Sequence, residues 1–91
     1  MTMKVEEIAD SILAGRTFIA THEEVVEALK IVARRLDEYY KNGFVPPEGE
    51  QYFLISLRHF VCETERHEIL SEIRNEKYRK RVVELLALAG R

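Results

Sequence analysis

Two groups of side chains have types and spacings suited to chemistry. His59, Cys62, Glu63 and His67 form the first. On a helix His59, Glu63 and His67 are successive i, i+4 neighbours and His59 and Cys62 are i, i+3, so imidazole, thiolate and carboxylate can converge on zinc. One helix seldom supplies a whole ligand set, and apart from the lone His22 the chain has no further Cys or His. Packing and hydrogen bonding are therefore the expected roles of these four, with no metal or other cofactor implied. The second group is Arg74, Lys77, Arg79, Lys80 and Arg81, five basic residues in eight positions with Glu76 the one acid among them. Nucleic-acid phosphates would suit such a cluster. With Asn75 as a cap, the cations would also crowd the positive end of a helix, where they are unfavourable unless an anion sits there. A solvated face paired with Glu72, Glu76 and Glu84 is the competing expectation.

A third pattern is acidic. Glu23, Glu24 and Glu27 read E-E-x-x-E, which resembles the motif that all-helical nucleotide pyrophosphatases of the MazG type use to hold magnesium. The resemblance spans five residues and implies a metal-dependent pyrophosphatase. It departs from the family further on, where E-x-x-D is replaced by Glu65 and Glu68 as E-x-x-E. Glu23 and Glu27 are also expected to face away from the apolar stripe of their own helix, whereas magnesium needs carboxylates converging in a cleft. Ser11, Ser56 and Ser71 have no nucleophile motif around them, and the four glycines are too scattered for a phosphate loop. The segment from Ala14 to Thr21 is too long for the turn of a helix-turn-helix, and the helix after it opens with two glutamates.

These residues must be positioned by a small chain. Ninety-one residues with 46% hydrophobic content supply one core, so a single domain over residues 1–91 is expected. A charged fraction of 33% with net charge −2 describes a soluble surface of mixed sign. The charge is lopsided: residues 1–50 carry six basic and ten acidic groups, residues 51–91 eight and six. No stretch approaches the roughly 20 apolar residues of a membrane span, the start has no apolar signal core, and the cytoplasm is the expected location. Two Asn and one Gln against fourteen Glu, with Arg in excess of Lys, is the bias of a thermophile.

The apolar spacing predicts an all-α fold, a compact bundle of four or five helices around a central buried helix at about residues 50–63. Residues 51–62, QYFLISLRHFVC, are apolar nearly all round, with Phe53, Leu57 and Phe60 on one face and Leu54 and Val61 beside them. A first helix is expected over 3–14, stopped by Gly15. Phe18 and Ile19 in the connector RTFIA are expected to run across the core. Thr21 and Glu24 form a capping box, followed by Val25, Leu29, Val32, Leu36 and Tyr39 at helical spacing as far as Asn42 and Gly43. After the loop FVPPEG a helix starts near Glu50.

From Glu50 to Ala89 no Gly or Pro interrupts the chain. One long helix is formally possible, yet the apolar direction reverses twice: Ile69 and Ile73 oppose Phe53, Leu57 and Phe60, while Tyr78, Val82 and Leu85 return to the first side. Breaks at Thr64 and Asn75 are favoured, giving helices near 65–74 and 76–89 with Gly90 as the last stop. The long-helix alternative would present Ile55, Cys62, Ile69 and Ile73 to a second copy. The expected function is a non-enzymatic interaction or assembly module that self-associates. The alternative is a nucleic-acid-associated protein using residues 74–81, and a MazG-like enzyme comes third. Nothing in the sequence implies a membrane or small-molecule partner.

Overall fold

Thr21 sets the start of the longest element. Its Oγ1 accepts from the Glu24 amide at 3.2 Å while the Glu24 carboxylate accepts from the Thr21 amide at 2.9 Å, which satisfies two of the amides a helix start leaves open. The computed structural model describes residues 4–89 and is all-helical, with no strand among those residues: α1 (Val5–Ala14), α2 (His22–Lys41), α3 (Pro47–His59), α4 (Glu63–Leu70) and α5 (Glu76–Ala89). The expected helix start at residue 3 and stop at Gly90 lie outside the described residues.

Helices α1, α2 and α3 pack on one another in all three pairings; α4 rests on α2 and α5 on α3. The core runs through them as one cluster. Helix α2 contributes Val25, Val26, Ala28, Leu29, Val32, Ala33 and Leu36, and α3 contributes Phe53, Leu54 and Leu57. Ile8, Ala9 and Ile12 close it from α1, and Ile69, Leu70, Ile73, Tyr78 and Val82 from the far end. Gly15 ends α1 at φ +69°, a left-handed conformation that glycine adopts without a Cβ clash. A Cβ there would also collide with the Tyr52 ring, so this glycine brings α3 close to the end of α1.

Four expectations are corrected. Helix α3 starts at Pro47, three residues before Glu50, because proline at the first helical position gives up an amide that would be unbonded anyway. It stops at His59, so Phe60 leaves the helical stripe and is 49% exposed. Cys62, in an extended conformation, takes the capping position expected of Thr64: the Glu65 carboxylate accepts from its amide at 3.0 Å. Arg66 then reaches back, its Nε donating to the Leu57 carbonyl at 3.0 Å and meeting one of the unpaired carbonyls at the end of α3. Finally, Phe18 is half-buried and Ile19 is 90% exposed, so the connector lies on the surface and does not cross the core.

The turn between α4 and α5 is held from a distance. Asp37 on α2 accepts from the amides of Arg74 and Asn75 at 3.1 and 3.2 Å, and Asn75 Oδ1 caps α5 by accepting from the Tyr78 amide at 2.9 Å. Arg79 donates to the Ile73 carbonyl at 2.7 Å.

Glu65 joins two helix starts. The Cys62 amide holds its carboxyl below the usual carboxylate range, helped by the side chain of His22, whose Nε2 lies 2.8 Å away across the gap to α2. A group with a lowered folded-state pKa contributes stability that is present above its unfolded value and lost as pH falls through the folded one. Urea midpoints measured from pH 6 down to about 3 are expected to fall less steeply for Glu65→Gln than for the wild type; parallel slopes would show that this carboxylate contributes nothing to acid sensitivity.

Candidate functional site

Glu50 is buried at the base of α3, where its carboxylate accepts from the Tyr78 hydroxyl at 2.7 Å and stands 3.4 Å from Arg81 Nη2. Tyr78 is itself fully buried and stacks on Tyr40 at 4.6 Å. Burial, and then the bond to Glu50, push its hydroxyl well above the ordinary tyrosine range. This Glu50, Tyr78, Arg81 group is the most polar part of the interior and ties α5 to α3. The sequence gives little sign of it, since an i, i+28 pairing has no local signature.

The basic cluster at 74–81 is divided by these bonds. Arg79 is committed to the Ile73 carbonyl, Arg81 to Glu50, and Lys80 stands 3.7 Å from Glu76. Arg74 and Lys77 are exposed and have no carboxylate within ion-pair distance among the described residues. Five charges in sequence thus reduce to two uncommitted ones.

The zinc-like residues are divided by the chain reversal. His59 ends α3, Cys62 caps α4, and Glu63 and His67 belong to α4, so the single helix that would align them is interrupted. No group of three or more His, Cys, Asp or Glu suited to a metal is present among the described residues. In the acidic pattern, Glu24 is spent on the capping box, Glu23 and Glu27 are exposed, and Glu65 is paired with His22. Lys30 stands between α2 and α4, its ammonium 3.4 Å from Glu27 and 3.9 Å from Glu68.

The expected partner face is also redrawn. Ile69 and Ile73 are both 0% exposed and belong to the core of the single chain, because the chain turns between His59 and Glu63 and α4 then packs on α2. They are unavailable to a second copy. Ile55 and Cys62 stay on the surface, and Ile55 lies in an apolar strip assembled from separate parts of the chain. On one side of it a depression of about 470 Å³ is lined by Phe18, Tyr52, Ile55 and Phe60, with the Phe18 and Phe60 rings edge to face at 6.4 Å. On the other side a groove of about 440 Å³ between α3 and α5 is lined by Leu54, Ile55, Leu85 and Leu88, with Gln51 and Arg58 along its rim. Ile55 is common to both, so the apolar surface is continuous across α3. A separate, wider cleft of about 780 Å³ lies between α4 and α5, with Leu70, Val83 and Leu86 in its walls.

Comparison with protein-family models, with curated proteins and with solved structures finds no match for this chain. No helix among the described residues is long and apolar enough to cross a membrane.

Proposed function

We propose that this protein is a non-enzymatic interaction module whose working surface is the outer face of α3. One observation carries the reading: Phe18, Phe60, Tyr52, Ile55 and the Leu85/Leu88 pair form one apolar strip outside the buried core cluster, with Phe18 and Leu85 packed against its edge. Single exposed apolar residues are ordinary on any protein. A contiguous strip bordered by polar groups is the usual mark of an interface. The catalytic readings have less support, because the carboxylates, imidazoles and thiol singled out for them are engaged elsewhere or dispersed. The phosphate reading rests on Arg74 and Lys77 alone, and two exposed cations on a chain of net charge −2 make a small electrostatic footprint. On this reading the protein works in the cytoplasm, where the exposed Cys62 thiol stays reduced.

Ile55→Arg is the test, since it places a charge in the middle of the strip without touching the core. Light scattering and native mass spectrometry of the purified protein should show an assembly, with itself or with a retained protein, that the substitution abolishes while the helical circular dichroism spectrum is unchanged. A wild type that is monomeric at high concentration and retains nothing, or an assembly indifferent to Ile55→Arg, would remove the reading. Retained nucleic acid, lost on Arg74→Ala with Lys77→Ala, would put the phosphate reading in its place.

A further inference from the structure

The order of residues along the outer stripe of α3 says what covers it. Glu48, Tyr52, Ile55 and His59 follow one another at i, i+4, i+7 and i+11, so they share one face, and all four are exposed. Read from either end the spacing is the same, four, three, four. The chemistry reverses: an acid at the start, two apolar side chains in the middle, a base at the end. Such a face is complementary to itself when two copies run antiparallel. Glu48 then meets His59 of the second copy, Tyr52 meets its Ile55, and each contact occurs twice, as a two-fold interface requires.

We infer that this face docks a second copy of the chain, in a two-fold dimer with antiparallel α3 helices; the inference rests on the interaction reading above and names its partner. Acid at the first turn and base at the last also suit the helix dipole, which explains Glu48 and His59 singly. The dipole does not explain the exposed apolar pair set between them at matching spacing. Neither Glu48 nor His59 has an ion-pair partner among the described residues. A two-fold axis perpendicular to α3 also lays each flank against its own counterpart, Phe18 and Phe60 on one side and Leu85 and Leu88 on the other. The buried surface thus extends beyond a single helix stripe toward the roughly 800 Å² per partner of a stable interface.

The experiment uses complementary charge reversals in the full chain, followed by sedimentation equilibrium. Glu48→Arg sets an introduced arginine against His59 of the second copy, and His59→Glu sets an introduced glutamate against its Glu48. Each variant alone should dimerise at least about tenfold more weakly than the wild type, because Glu48→Arg removes the carboxylate that faces the imidazole and His59→Glu opposes two carboxylates. Mixed in equal amounts, the two variants should form a heterodimer, and the double variant E48R/H59E should regain the wild-type affinity. A second measurement does not depend on charge. In a Cys62→Ser background, Tyr52→Cys mixed with Ile55→Cys should give a disulfide-linked heterodimer under mild oxidation. A wild-type dimer untouched by both charge reversals, with no heterodisulfide, would overturn the inference and leave the interaction reading to another arrangement. A monomeric wild type whose complex with a different protein is abolished by Ile55→Arg would overturn it too, with the interaction reading intact. A monomer that binds nothing would end both.

Discussion

Tyr78→Ala is expected to be among the most damaging single substitutions in this protein, at about 3–5 kcal/mol for a buried aromatic ring. The ring fills the space between α5 and Tyr40, and its hydroxyl is the short donor to a carboxylate that has few other partners. Tyr78→Phe separates the two roles. It keeps the stack on Tyr40 and leaves Glu50 buried with only Arg81 at 3.4 Å, an arrangement expected to cost about 1–3 kcal/mol. Replacing both partners should cost less than the single changes suggest, because Tyr78→Phe with Glu50→Leu leaves no buried polar group to satisfy. Urea unfolding of the two single variants and the double gives the coupling directly. Additive losses would mean that Glu50 is already satisfied by water or by Arg81.

Leu57→Ala is the second large effect, at about 2–5 kcal/mol, and it should exceed Val25→Ala. Leu57 is completely buried on a helix that packs against α1, α2 and α5, so the cavity left by its side chain has no open side to relax into. Val25 lies near the start of α2, is slightly accessible, and loses about two methylene equivalents at roughly 0.8 kcal/mol each. Equal and small losses at both positions would show that the residues of α3 are peripheral to the core.

The helices were legible wherever the signal is local. The capping box at Thr21 and the glycine stop at Gly15 each act within four residues, whereas the proline loop was read three residues too long. The reversal in apolar direction between Phe53 and Ile69 was also legible, and it separates α3, α4 and α5 correctly despite an uninterrupted run without Gly or Pro. The position of the first break was not. Thr64 is the better intrinsic cap, but Glu65 and Arg66 both reach back from α4, and their bonds to Cys62 and Leu57 fix the turn two residues earlier.

The interface expectation failed for a related reason. Ile55, Cys62, Ile69 and Ile73 align only if the helix continues through residue 62, and once the chain turns there the last two become core. The apolar strip itself was beyond reach from periodicity. It combines a connector, one helix flank and the end of α5, which no window along the sequence joins. Phe18 and Ile19 carried a partial signal: a connector that apolar has to be covered by something, and the sequence does not say whether from within the chain or from outside.

The cleft between α4 and α5 makes the last helix unequal along its length. Its first two turns are secured by Asn75, by the Tyr78 ring and hydroxyl, by Arg81 and by the buried Val82. Beyond them Val83 is 47% and Leu88 64% exposed, with Val83 in the wall of the cleft. Local opening costs least where few apolar contacts are broken. Amide exchange is expected to show residues 79–82 protected with the whole domain and the last turn of α5 exchanging faster. A partner seated along α3 would therefore meet α5 at Leu88, on the turn that the core holds least.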